Sequence, residues 1–166
     1  EYRSEHSEVV ALLASGEASI ALLPEPFVTA SKAQVENLTT ALDITEEWEA
    51  ACKKEGKNGV LSMGCIAVRT EFAQENPEAL AAFLQEYRAS IEYVNQNTAD
   101  AAALIAEYEI VASAQIAEQA LPACNIVYID GVTMKDSLSN FFDVLYAANP
   151  ASVGGEIPAD DFYFIQ

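Results

Sequence analysis

The chain has 166 residues, is 51% hydrophobic and carries a formal net charge of −18 from 26 acidic and 8 basic residues. This shortage of basic residues excludes a basic patch for a phosphate backbone, and the charge disfavours an anionic membrane surface. We therefore expect no nucleic-acid partner. The apolar content suffices for a core, and no apolar run approaches the roughly 18 residues of a membrane span. The length fits one domain or one and a half.

The first part of the chain predicts a helix and then a buried strand. Residues 4–15 have helical apolar spacing, and Gly16 is placed to end the helix. Ile20–Leu23 is a short apolar run of the kind found in strands buried on both faces of a parallel sheet. Pro24 and Pro26 then prevent further ladder pairing.

Glu25, Pro26 and Phe27 follow this predicted strand and form the first candidate site. In open parallel sheets, ligands bind beyond the carboxyl ends of the strands, so a carboxylate and an aromatic ring held there are placed to line a cleft. The alternative is a proline-stiffened turn with a solvated Glu25, since glutamates in loops are mostly exposed.

Further helices and strands are predicted along the rest of the chain. Further strands are predicted at Leu38–Ile44 and Cys65–Val68, and a short extended piece is predicted at Asn125–Ile129. Capping residues and helical spacing predict five longer helices. The first begins after Thr45 as N-cap. The other four run from Pro77 to Val94, from Ala99 to Tyr108, from Ser113 to about Leu121, and from Asp130 to Ala148. A shorter helix is predicted over 25–35, and residues 162–164 are expected to dock on the fold.

Patterns for catalysis and metal binding are missing from the sequence. Cys52, Cys65 and Cys124 lack the paired spacing of a zinc site, and we expect reduced, buried thiols. The single histidine, His6, lies among acids near the start of the chain, where a surface position is expected. Nucleophile elbows, phosphate-binding glycine loops and zinc-protease motifs do not occur. We therefore predict no catalytic residue, no metal and no cofactor.

Several passages resemble substrate-binding proteins of ABC transporters. The similarity is to the group related to sulfonate-, nitrate- and thiamine-precursor-binding proteins, and it covers nearly the whole chain. Its passages are the helix, glycine, strand and Glu-Pro at 12–26, the strand and turn at 65–72, the Asn-Pro-Glu helix start at 76–78, the helix end at 91–97, and the tail at 153–158 and 160–163. Ser19 departs from the family, which often has Asp at this position.

The resemblance implies an α/β fold with three αβα layers, like that of type 2 periplasmic binding proteins. Because family members are longer, we expect an incomplete two-lobe protein that corresponds to their C-terminal half. Residues 1–56 would be the end of lobe two, and residues 57–166 the return crossing and the C-terminal part of lobe one. A truncated chain would expose sheet edges and favour a swapped or edge-paired homodimer.

The resemblance also implies a function, that of an extracytoplasmic solute-binding component of an ABC importer. Such a protein lies in the periplasm or on the cell surface as a lipoprotein, captures a small organic solute by hinge closure and presents it to a membrane permease. The cleft would be lined by Glu25, Pro26, Phe27, Ser62, Met63, Gly64, Cys65, Asn125 and Tyr128. Glu25 would accept from an amine or amidine-like group, and Phe27 would stack on a ring.

Two alternatives remain open. One is an enzyme on the same fold, of the kind that acts in thiamine-pyrimidine or menaquinone synthesis. The other is a ligand-sensing lobe that contacts partners through its acidic surface.

Overall fold

The structure, a computed structural model, describes residues 1–57 and 59–165 and is built from helices. Within these residues there are eight α-helices and three short 3₁₀-helices. The α-helices are α1 (His6–Ser15), α2 (Phe27–Gln34), α3 (Ile44–Lys54), α4 (Thr70–Glu75), α5 (Pro77–Gln96), α6 (Thr98–Glu107), α7 (Ala114–Ala120) and α8 (Gly131–Ala148). The 3₁₀-helices are Leu121–Ala123, Pro150–Val153 and Asp160–Phe162.

The predicted three-layer αβα fold of a periplasmic binding protein is wrong for the described residues, because none of them forms a strand. Helices account for 61% of the described residues. The segments predicted as strands, Ile20–Leu23, Leu38–Ile44 and Cys65–Val68, have no regular structure, except that Ile44 opens α3. The piece predicted as extended, Asn125–Ile129, lies outside the helices. Several apolar residues of the predicted strands are exposed, such as Ile20 at 92% and Leu22 at 78%. A strand requires a ladder to a second segment, which a short apolar run cannot specify by itself.

Most of the helices form where local signals predict them, whereas α4 was not predicted. Gly16 ends α1 in the left-handed conformation, with φ 77°, and its N–H donates to the Leu13 carbonyl. Pro77 occupies the first turn of α5, and the Ser113 hydroxyl accepts from the Ile116 N–H at the start of α7. At the start of α3 the cap differs from the prediction. Asp43 caps α3 in place of Thr45, because its carboxylate accepts from the N–H groups of Thr45 and Glu46.

One compact unit comprises residues 1–40 and 76–127 and contains α1, α2, α5, α6 and α7. Its core is small and alanine-rich, since Ala101 and Ala102 of α6 meet Ala117 of α7 and Leu121. Small side chains allow α6 and α7 to approach closely. The side chains of Val94, Ile105, Val111 and Ile126 pack against this cluster. Helix α2 packs on both α1 and α7, which ties the beginning of the unit to its end.

The second unit comprises residues 41–75 and 128–166, of which Asn58 and Gln166 lie outside the described residues. It contains α3, α4 and α8. The Trp48 ring meets the Phe141 ring edge-on with 5.5 Å between centroids, and Phe142 meets Phe162 in the same way at 6.1 Å. Tyr163 is buried, which confirms that the 162–164 segment docks.

These two units and the predicted lobes divide the chain differently. Residues 1–56 and 57–166 were assigned to the lobes of a longer, two-lobe protein. This assignment stays a prediction. No helix in the described part of the chain is both long and apolar enough to cross a membrane.

Candidate functional site

The turn from Pro24 to Phe27 leads directly into α2. The Pro24 carbonyl accepts from the N–H of Phe27 at 3.0 Å and of Val28 at 3.2 Å, and the Pro26 carbonyl accepts from the Ala30 N–H at 2.9 Å. The peptide bond between Glu25 and Pro26 is cis. The structure therefore confirms a turn at this point and places the first candidate site at a helix start.

The Glu25 side chain is half-buried and has a specific structural partner. Its Oε2 atom accepts a hydrogen bond from the Thr29 N–H at 3.0 Å. Thr29 lies in the first turn of α2, where backbone N–H groups have no partner within the helix and a negative charge is favoured. Glu25 thus stabilises the start of α2, so it is not the solvated glutamate of the alternative interpretation.

The Phe27 side chain joins α2 to α1. Its ring lies 4.8 Å from the ring of His6, centroid to centroid, with a tilt of 34°. One turn further along α2, the fully buried Ser31 donates from its hydroxyl to the Phe27 carbonyl at 2.8 Å. His6 is exposed, as predicted, but the contact with Phe27 was not predicted because it joins residues far apart in sequence.

The thiol of Cys124 lies within the electrostatic reach of Glu25. Partial burial raises the pKa of the Cys124 thiol, and the negative charge of Glu25 raises this pKa further. Asn125, the next residue, is exposed and has a positive φ of 51°. The first unit therefore brings the turn at Glu25 close to the segment that holds Asn125. No pattern in the sequence indicated that Cys124 lies near Glu25.

The remaining predicted site residues belong to the second unit. The Ser62 hydroxyl donates to the Gly64 carbonyl at 3.2 Å, while Met63 is 80% exposed and Cys65 is exposed. A Cβ added at Gly64 would meet nothing within 4 Å, so no close approach within the described residues requires glycine there. Tyr128 is partly buried. Whether these residues bind a ligand stays a prediction.

The expectation of three buried thiols is only partly met. Cys52 is buried, Cys124 is half-buried and Cys65 is exposed; all three are free thiols. In the part of the chain that the structure describes, no group of three or more His, Cys, Asp or Glu residues is placed to hold a metal ion.

A groove between α5 and α6 was missed by the sequence analysis. It has a volume of about 420 Å³ and an apolar lining. Helix α5 contributes Ala89, Ser90, Tyr93 and Val94, while α6 and the residues just after it contribute Ala101, Leu104, Ile105, Tyr108 and Ile110. Val94 also packs against the core cluster, and the apolar spacing of α5 could not show that the neighbouring apolar side chains stay uncovered.

Comparison with known proteins finds the same fold in a transporter-related structure. A crystal structure described as an ABC transporter from Parabacteroides distasonis matches 99% of this chain with a TM-score of 0.70 and 18% sequence identity. The present chain spans 55% of the length of that chain. At this identity the similarity shows a shared fold alone. Neither a protein-family model nor a curated protein sequence matches the chain.

Proposed function

We propose that this protein is part of the solute-binding component of an ABC importer, that it acts outside the cytoplasm, and that it binds its solute without turnover. The supporting observation is the shared fold with the structure described as an ABC transporter, which extends over 99% of the chain. In this proposal the bound solute is passed to a membrane permease.

The proposed solute site is the turn that contains Glu25 and Phe27. The hydrogen bond from the Thr29 N–H fixes the Glu25 carboxylate, and the contact with His6 fixes the Phe27 ring. A fixed carboxylate beside an aromatic ring suits a solute that carries an amine or amidine-like group on a flat ring. The net charge of −18 also attracts a cation and repels an anion.

A thermal-shift titration of the full-length gene product tests this proposal. The probes are an aminopyrimidine, a short alkanesulfonate and nitrate. A ligand that binds only the folded state raises the melting temperature in a saturable way, and we expect this from the aminopyrimidine. Incubation should leave that probe chemically unchanged. The proposal fails if none of the probes shifts the melting temperature, or if the aminopyrimidine is converted into a product.

A pair of phenylalanine variants locates the site. We expect Phe27→Ala to weaken the aminopyrimidine response, because the ring on which the probe stacks is removed. Phe83→Ala is the matched control, since Phe83 lies in the same unit and is 48% exposed. Equal responses of the two variants would place the solute elsewhere in the protein.

A further inference from the structure

We propose that the groove between α5 and α6, here called the α5–α6 groove, is a docking surface for an amphipathic basic helix of a partner protein. This inference is independent of the solute site, because it rests on other residues.

Large apolar side chains of the α5–α6 groove are exposed next to each other. Tyr108 is 73% exposed and Ile110 is 72% exposed, and Tyr93 and Leu104 are each more than 40% exposed. The floor is formed by Ala101, which is 2% exposed and belongs to the core cluster. Contiguous apolar surface of this kind marks an interaction site, whereas scattered single residues do not.

The residues that follow α6 are held in place by the backbone. The Tyr108 N–H donates to the Leu104 carbonyl at 2.9 Å, and the Ile110 N–H donates to the Ile105 carbonyl at 3.0 Å. Glu109 between them has a positive φ of 56°. Tyr108 and Ile110 therefore stay beside α6 while their side chains face solvent, so the groove exists before a partner binds.

The shape of the α5–α6 groove favours a helix over a small solute. Sites for small molecules cover most of the ligand surface, but this groove has walls that are themselves largely exposed. Small residues in the lining, such as the exposed Ala89 and the buried Ala101, leave room for large side chains that project from a partner. An amphipathic helix presents such side chains at spacings of three and four residues along one face.

The charge around the groove specifies a basic partner. Asp100 and Glu107 are four residues before and three residues after Leu104, so they flank it on the surface of α6. Glu109 lies between Tyr108 and Ile110, and all three acids are exposed. Residues 76–127 contain seven acidic residues and one basic residue, Arg88.

The same charge argues against the other occupants of an apolar groove. Two copies of a chain with a net charge of −18 repel each other, and the two acidic rims would meet in a symmetric contact. An anionic lipid surface is repelled for the same reason. In a segment with lysine or arginine on the borders of its apolar face, the apolar side chains can pack on the groove lining while the basic side chains pair with the acidic residues around the groove.

Fluorescence anisotropy with a labelled leucine–lysine peptide tests the proposal on the full-length protein. The peptide has about 15 residues, with its leucines on one helical face. Its control is a scrambled peptide of the same composition, in which the leucines do not share a face. We expect the amphipathic peptide to bind at least about tenfold more tightly than the scrambled one, because only its leucines enter the groove together. Equal affinities would show unspecific charge attraction and would overturn the proposal.

Variants of the groove provide the second arm of the experiment. We expect Tyr108→Ala combined with Ile110→Ala to weaken binding by roughly tenfold or more, with unchanged circular dichroism, because both side chains are largely exposed. Tyr2→Ala, at a tyrosine that is 99% exposed, is the matched control and should bind as the wild type. Unchanged binding by the double variant contradicts the proposal. If the double variant loses helix, the charge variant Asp100→Asn combined with Glu107→Gln tests the proposal instead. It must reduce both the affinity for the peptide and the salt dependence of that affinity, and unchanged values would contradict the proposal.

Discussion

At the residue scale, the carboxylate of Glu25 acts on two neighbours. It accepts the hydrogen bond from the Thr29 N–H at the start of α2, and its charge raises the pKa of the Cys124 thiol. These two effects separate under mutation, because glutamine keeps a hydrogen-bond acceptor and loses the charge. Substitutions of Glu25 therefore distinguish the structural role from the electrostatic one.

We expect Glu25→Ala to lower the free energy of unfolding by about 0.5–2 kcal/mol, because the first turn of α2 loses its side-chain acceptor. Glu25→Gln should stay close to the wild type, since its amide oxygen still accepts from the Thr29 N–H. Urea denaturation followed by circular dichroism measures both. Glu36→Ala, at an exposed residue beyond the end of α2, is the control and should change little. A loss at Glu36 as large as the loss at Glu25 would contradict the capping role.

The second prediction concerns the reactivity of Cys124. The thiolate is the nucleophile, so a raised pKa slows alkylation near pH 8. Glu25→Gln removes the negative charge and should lower the pKa of Cys124, so that iodoacetamide modifies this thiol faster than in the wild type. Mass spectrometry measures the rate, with the exposed Cys65 as the internal reference. If the ratio of the two rates does not change, Glu25 does not lie close enough to Cys124 to act on it.

At the scale of the element, the start of α5 could be predicted from its sequence, but the burial of its apolar side chains could not. Asn76 and Pro77 predict the start, and α5 does begin at Pro77. Leu80, Phe83 and Ile91 share the helical apolar spacing of α5, but Phe83 is 48% exposed, whereas Leu80 and Ile91 are buried. The Phe83 ring stacks on the Tyr87 ring with 5.9 Å between centroids. The apolar stripe is therefore wider than the surface that the neighbouring elements cover.

This distribution of exposure predicts the stability of α5 variants. Leu80→Ala should cost about 2–5 kcal/mol, because Leu80 is only 3% exposed and its loss leaves a cavity. Phe83→Ala should cost less than Leu80→Ala despite the larger side chain, since nearly half of Phe83 is already in water. Glu86→Ala, on the exposed surface of the same helix, should stay within about 0.5 kcal/mol. Chemical denaturation of the three variants measures the loss in free energy of unfolding and checks this order. A larger loss for Phe83→Ala than for Leu80→Ala would contradict the assignment of Leu80 to the buried face of α5.

Local signals explain why most helices could be predicted, whereas the predicted strands do not form in the described residues. A cap such as Ser113 or a terminating Gly16 acts within one turn, so the sequence contains the whole signal. The run Ile20–Leu23 indicates an apolar segment without helical spacing, but strand formation depends on a partner elsewhere in the chain. Contacts such as the one between His6 and Phe27 depend on the packing of α1 on α2, and no local pattern encodes them.

At the scale of the whole molecule, the acidic surface selects the charge of whatever binds. A net charge of −18 favours a cationic solute at Glu25 and a basic partner at the α5–α6 groove. The composition alone predicted the exclusion of phosphate backbones and anionic membranes. The position of the groove could not be predicted in this way, because it depends on how α5 and α6 pack together.

The most direct test of the proposed solute site is calorimetric titration of an aminopyrimidine into the full-length gene product and its Glu25→Gln variant. We predict saturable binding to the wild type. We expect affinity to fall roughly ten- to a hundredfold in the variant, because a charge-assisted hydrogen bond worth about 1.5–3 kcal/mol is lost while the start of α2 keeps its acceptor. Glu36→Gln is the matched control and should bind as the wild type. Absence of binding to the wild type, or equal affinity of the wild type and Glu25→Gln, would contradict solute capture at this turn.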